Sequence, residues 1–229
     1  MLASLEVSTR LCSVALFDLE QGKEVAELVL LSDKESSTTM LPGLQNLLRE
    51  KGLESASITA LAVALGPGSF TGIRVGIATA EGIAMPQQLP VYGISTLDGL
   101  AENLRAAGLL GEALCLIDAQ RGECFVGHYQ IEEIGCKELE PAAIWSIQKI
   151  ADHLQKDTWV AGPGALKYEV DLQKMNVGNG RWVAENLHQP SAFSLARIAH
   201  KQWKAGARPK LETLTPIYLR LPAVYEKKI

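Results

Sequence analysis

The chain has 229 residues, 47% apolar and 21% charged, with a formal net charge of −4. That length suits one large or two modest domains with a full core. The acidic balance argues against gripping nucleic acid unaided, and no apolar run approaches the roughly 18 residues of a membrane span. Met1-Leu2-Ala3-Ser4-Leu5-Glu6 lacks the basic start and long apolar stretch of a signal peptide. Cys12, Cys115, Cys124 and Cys136 show no C-x-x-C spacing, and three of them fall in strand-like runs. Buried free thiols in a reducing cytoplasm are expected.

From the N-terminus, strand signals surround Glu6-Val7-Ser8-Thr9 and Cys12 to Phe17, Gln21-Gly22 makes a turn, and Glu24 to Leu31 reads as a third strand of a meander. A helix is predicted from about Ser37 to Lys51, with Met40, Leu41, Leu44, Leu47 and Leu48 as its stripe. Ser36 or Ser37 can cap it and Gly52 stops it. Ala60 to Leu65 is a short apolar run, hence a buried strand.

That strand delivers Gly66-Pro67-Gly68-Ser69-Phe70-Thr71-Gly72-Ile73-Arg74-Val75-Gly76, and a helix continues to about Met85. Gly72, Gly76, Ala80 and Ala84 recur every four residues and share one face, where another backbone could approach closely. Arg74 and Glu81 are the only charges on this helix. A phosphate loop would need a lysine after the second glycine, and Ile73 stands there. A hydrolase elbow would need Gly-x-Ser-x-Gly, whereas Ser69 follows Gly68 directly. The plainest account is a strand-to-helix turn capped by Ser69 or Thr71.

Pro90 to Ile94 is another buried strand, and Ser95 opens a helix to about Ala107. After a break at Gly108 to Gly111 the pattern restarts. Ala113 to Asp118 is a strand, Gly122 a turn, and Cys124 to Gln130 the hairpin partner. Ile144 to Gln155 is a helix, and Trp159-Val160-Ala161 a strand ending at Gly162-Pro163-Gly164. A loop spans 176–180, Pro190-Ser191 starts a last amphipathic helix ending at Gly206, and the apolar tail Thr215 to Arg220 packs back on the body. Two α/β halves, 1–107 and 108–229, with a crevice between them follow from this repetition.

Four segments carry a family likeness. Gly66 to Gly76 resembles the GPGSFTGLRIG signature of the bacterial TsaB (YeaZ) family. Pro90-Val91-Tyr92-Gly93-Ile94-Ser95-Thr96-Leu97 resembles that family's second strand-to-helix junction. Ile117-Asp118-Ala119-Gln120-Arg121-Gly122-Glu123 resembles its IDARRGEVY segment, and Pro216-Ile217-Tyr218-Leu219-Arg220 its P-x-YLR tail. The matches run in the same order from residue 5 to 220. The resemblance implies an α/β chain with the actin/Hsp70-like (ASKHA) fold of duplicated RNase-H-like halves. It further implies a cytoplasmic, non-catalytic role in making threonylcarbamoyladenosine (t6A) beside the tRNA anticodon. The implied partners are the catalytic TsaD in a heterodimer, the ATPase TsaE docking on the pair, and a homodimer when TsaD is absent. Contact with tRNA comes only through the complex, and none with a membrane is implied.

Catalytic relatives hold a metal with an H-x-x-x-H pair. Here His128, His153, His188 and His200 form no such pair, so no catalytic residue and no metal are expected. Glu6-Val7-Ser8-Thr9 stands where the family shows Asp-Thr-Ser-Thr. A vestigial ATP or ADP site would use Glu6, Ser8, Thr9, Asp118, Gly162 and Gly164. The purely structural alternative is that Glu6 and Asp118 hydrogen-bond across the crevice and Gly162-Pro163-Gly164 is only a turn. The partner interface is expected at Met40, Leu44, Gly72, Ile73, Arg74, Gly76, Ile77 and Ala80. The rival readings are an independent ASKHA-type ATPase or glycoprotease-like enzyme, and a free-standing interaction protein that controls a partner's level.

Overall fold

The computed structural model describes residues 1–31, 36–175 and 180–220; side chains 31 and 36–38 lie outside that description. The cap expected at Ser36 or Ser37 and most of the 176–180 loop therefore lie outside the described residues. In the first half, β1 (Leu2–Glu6), β2 (Leu11–Asp18) and β3 (Lys23–Leu31) form the expected antiparallel meander. β4 (Ala60–Gly66) pairs parallel with β1, and β5 (Val91–Ser95) parallel with β4, giving the order β3-β2-β1-β4-β5. Three helices intervene or follow: α1 (Ser36–Glu50), α2 (Phe70–Ala84) and α3 (Thr96–Ala106).

The second half repeats the scheme. β6 (Gly111–Gln120), β7 (Glu123–Glu132) and β8 (Gly135–Ser146) form a meander, β9 (Trp159–Ala161) joins β6 in parallel, and β10 (Arg181–Trp182) joins β9. Its order, β10-β9-β6-β7-β8, matches the first sheet strand for strand when read backwards. α4 (Ile147–His153), α5 (Pro163–Met175) and α6 (Ala192–Lys204) complete the set. Three strands, helix, strand, helix, strand, helix, written twice, is the duplicated actin/Hsp70-like arrangement. Four elements differ from expectation: β8 and β10 are strands where none is expected, and α4 and α5 also depart from it. β8 runs through Ile144 to Ser146, so α4 starts three residues later than its apolar spacing suggested, and α5 occupies a stretch that gave no separate helix signal.

The layers alternate. α1 and α2 cover one face of the first sheet, with Met40, Leu44, Leu47, Ile73, Ile77 and Ala80 packed on Leu5, Val7, Val14 and Val63. α4 and α5 cover the far face of the second sheet through Ile147, Ile150, Ala165 and Leu172. The middle layer is exchanged. α6, from the second half, packs Leu195, Ala196 and Ala199 on Leu2, Phe17 and Tyr92 of the first sheet. α3, from the first half, packs Leu97, Leu100 and Leu104 on Cys115, Ile117 and Tyr129 of the second. Each fully buried leucine contributes about 2 kcal/mol, so both inner faces depend on a helix supplied by the other half. Cys12, Cys115 and Cys124 are buried and Cys136 half-buried, and no disulfide joins any of them among the described residues.

Candidate functional site: the crevice and the α1–α2 face

A crevice of about 1080 Å³ opens between the halves where the two hairpins and the starts of α2 and α5 converge. Ser8, Thr9 and Arg10 of the β1–β2 turn and Ser69 and Phe70 line one wall; Asp118, Gln120 and Lys167 line the other. Close packing makes this convergence possible. A Cβ on Gly68 would strike the Ser8 carbonyl, and one on Gly162 the Leu116 carbonyl, so the same glycine device recurs in each half. Ser69 caps α2 by accepting from the Gly72 amide at 3.2 Å.

The tail spans the crevice. The Ile217 amide donates to the Leu65 carbonyl at 2.8 Å. Arg74 donates from Nε to the Tyr218 hydroxyl at 3.0 Å, with its guanidinium 3.9 Å from the Phe70 ring centre. Arg220 donates to the Ala119 carbonyl at 2.5 Å and pairs with Glu123. The first two contacts hold the first half and the last holds the second.

The two carboxylates expected to hold a magnesium nucleotide are committed elsewhere. Glu6 is fully buried, and its Oε1 accepts from the Ser8 amide at 2.7 Å and from the Ser8 hydroxyl. Burial pushes its carboxyl up to about 7, against the opposing pull of the Ser8 bonds. Its Oε2 finds no hydrogen-bond partner among the described residues. Asp118 is held by Lys167 Nζ at 2.6 Å, the Tyr168 hydroxyl at 3.0 Å, the Gln120 amide at 3.0 Å and Gln120 Nε2 at 2.7 Å. The two do not bond across the crevice. Magnesium needs accessible oxygens in near-octahedral array, and this pair does not fit it. Gly162 and Gly164, expected near an adenine, instead press on the backbone of Leu116 and Ile117. Ser8 and Thr9 do line the crevice, although Thr9 Oγ1 already donates to the Leu11 carbonyl.

The expected partner-interface residues need a larger correction. Gly72, Ile73, Gly76, Ile77 and Ala80 are buried, as are Met40 and Leu44, all within the chain's own core. The small-residue stripe serves the first sheet: a Cβ on Gly72 would strike the Val7 carbonyl and one on Gly76 the Val7 side chain. Arg74 alone among them is exposed, and it is tied to the tail. The outward face of α2 carries Thr71, Arg74, Ala78 and Gly82, with the C-cap residue Met85 next in line, a second set at helical spacing that the sequence pattern also contained. Leu41 and Pro42 are exposed on the neighbouring α1.

The histidines are dispersed. His188 is buried with its ring nitrogens 3.1 Å from the Gly162 carbonyl and 3.2 Å from the Val183 carbonyl, while His128 meets Glu112 at 2.9 Å. Among the described residues, no group of three His, Cys, Asp or Glu side chains could hold a metal ion, and no helix is long and apolar enough to cross a membrane.

Comparison with known proteins follows the same lines. A family model described as "TsaD: tRNA N6-adenosine threonylcarbamoyltransferase" matches residues 30–213. The tRNA threonylcarbamoyladenosine biosynthesis protein TsaB of Escherichia coli K12 is 30% identical over 230 residues, covering 98% of this chain and 96% of that protein. The TsaB of Haemophilus influenzae is 27% identical, covering 99% and 96%. The solved structure of YeaZ from Pseudomonas aeruginosa superimposes with a TM-score of 0.81 at 27% identity, covering 95% of this chain and 99% of that one. With the duplicated fold, the Gly66–Gly76 turn and helix, and full-length similarity all agreeing, the chain belongs to the TsaB (YeaZ) family.

Proposed function

We propose that this chain is a non-catalytic partner subunit in the formation of t6A on tRNA. It binds a catalytic TsaD subunit as a heterodimer, helps to dock the ATPase TsaE, and meets tRNA only through that complex in the cytoplasm. Without TsaD, the same face pairs two copies of the chain.

The observation that carries this reading is the outward face of α1 and α2. Met85 is 66% exposed and Leu41 42% exposed, and beside them Ala78 and Gly82 leave the backbone of α2 open to close approach. A Cβ on Gly82 would meet nothing within 4 Å. A low-charge face of this kind suits a second helix pair packed against it. The buried Gly72 face sets how α2 lies on its own sheet and so positions this outer surface. The non-catalytic role draws support from the crevice, where Lys167 occupies Asp118 and Glu6 is sealed from solvent.

The test is t6A synthesis in vitro with purified TsaD, TsaE, tRNA and threonylcarbamoyl-adenylate, with and without this chain. Product should appear only on addition. Equal product without it, or ATP or peptide hydrolysis by the chain alone, would overturn the reading in favour of an independent enzyme. Gly82→Leu separates the docking face from the fold. The variant should melt no lower than the wild type, since leucine also favours the helix over glycine, and should bind TsaD about tenfold more weakly, since overpacking a helix interface costs about 1–3 kcal/mol. Unchanged affinity would remove the face from consideration.

A further inference from the structure

α2 carries only two charges, Arg74 and Glu81, and neither has an ionic partner in its own chain. Arg74 is exposed yet held in place. Its Nε donates to the Tyr218 hydroxyl at 3.0 Å, and its guanidinium lies 3.9 Å from the Phe70 ring centre. The two terminal nitrogens bond to nothing among the described residues. Glu81 is half-buried, and its carboxylate makes no hydrogen bond or ion pair among those residues either. Seven positions, about 10 Å along the axis, keep the two from pairing with each other. A guanidinium already stacked and anchored has little rotamer freedom left to lose, so a new bond to it forms at low entropic cost.

Their placement on the helix is self-complementary. At about 100° per residue, seven residues bring α2 round to within about 20° of the same side. Arg74 and Glu81 therefore lie on one flank of the outward face, to the same side of Ala78 and Gly82, and nearly equidistant from Ala78 along the axis. A two-fold axis crossing α2 at right angles near Ala78 reverses the helix and returns that flank to the same side. It carries Glu81 of a second copy to Arg74 of the first, and Arg74 of the second copy to Glu81 of the first. A two-fold axis running along α2 instead brings opposite flanks together and leaves both charges unpaired.

We propose that two copies of this chain associate with α2 antiparallel to α2, oriented by two reciprocal Arg74–Glu81 ion pairs. This rests on reading the α1–α2 face as the docking surface, and it adds the polarity and the register of that surface. Gly82 falls level with Arg74 of the other copy and, having no side chain, leaves room for the guanidinium. Ala78 sits near the axis, where a small residue permits close helix contact. Rim ion pairs contribute little strength, so their effect is on orientation. Each substitution nevertheless acts twice in the symmetric dimer.

The test is sedimentation equilibrium of the intact chain without TsaD, over about 1–100 μM. The wild type should dimerise. Glu81→Arg sets like charges opposite each other at both contacts, and should weaken the dimer at least about tenfold while keeping its thermal midpoint. Arg74→Glu should weaken it at least as much, and both losses should shrink in about 1 M salt. An equimolar mixture of the two variants restores opposite charges at both contacts, and should associate within about threefold of the wild type. A chain monomeric throughout the range, a single reversal that dimerises as tightly as the wild type, or a mixture no tighter than its components overturns the proposal. Gly82→Leu tells the two failures apart. If it dissociates the dimer while the charge reversals do not, the register is wrong and the face stands; if it too leaves the dimer intact, copies do not meet at this face and both readings of it fall.

Discussion

Two glycines ten residues apart on α2 should respond to the same substitution with opposite signs. At Gly72 an added methyl would lie well under 3.0 Å from the Val7 carbonyl oxygen, about 1 Å inside ordinary contact. That neighbour is strand backbone and cannot rotate away, so α2 must lift from the sheet and loosen Ile73, Ile77 and Ala80. Overpacking of this kind costs about 1–3 kcal/mol, with the upper end fitting an unyielding neighbour. The helical preference of alanine over glycine returns about 1 kcal/mol. Gly72→Ala should therefore lose about 2 kcal/mol, which for a chain of this size lowers the thermal midpoint by about 4–8 °C. At Gly82 the methyl meets nothing within 4 Å. Only the preference remains, and Gly82→Ala should gain up to about 1 kcal/mol, or 2–4 °C. Urea titration read as a change in midpoint at constant slope is the appropriate assay, with calorimetry as a check. A Gly72→Ala protein as stable as the wild type would refute the account of why the small-residue stripe exists.

Three further outcomes are expected. The Glu6 carboxyl keeps its proton to about 7 in the fold and releases it near 4.5 when unfolded. Between those values the folded state binds the extra proton, so stability falls as pH rises through this window, by up to about 3 kcal/mol. Glu6→Gln removes that loss, so urea midpoints of variant and wild type should diverge in the variant's favour from about pH 5 to 8; a pH-independent difference contradicts the burial argument. Arg220→Ala frees the tail from the second half, and the Ile217 amide, bonded to Leu65, should exchange with solvent at least about fivefold faster, whereas unaltered exchange would mean that Arg220 does not anchor the tail. Tyr218→Phe removes one exposed hydrogen bond from Arg74 and should cost no more than about 1 kcal/mol by urea titration; a larger loss would mean that the stack on Phe70 depends on that bond.

Much of the fold was legible because its strands are bounded by strong punctuation. The Gly22, Gly66–Gly68 and Gly122 turns and the apolar run at 60–65 fixed the first meander, the second hairpin and the crossover, and the restart after Gly108 revealed the duplication. The long edge strand β8 was not legible. Its residues Lys137 to Pro141 are exposed, polar or proline-bearing, which suits an edge but gives no alternation to read. The site was legible in composition and not in direction. Spacing placed Gly72, Gly76 and Ala80 on one face, but a period of four residues does not say which neighbour that face meets. The first sheet is covered on both sides, and only contact with Val7 decided the matter. Likewise Asp118 was rightly placed at a hairpin on the crevice, while its partner Lys167, 49 positions away, could emerge only from the folded chain.

The exchange of α3 and α6 carries a consequence for how this molecule could be divided. A cut in the 107–111 connection separates two stretches of sequence, each with a complete sheet and three helices, yet neither fragment owns the helix that closes its inner face. Expressed alone, each would leave one side of its sheet open to water and to its own copies. Expressed together, the two should find one another, since each carries the missing part of the other. The repeat is thus a clasp rather than a pair of beads, and it should melt in a single step.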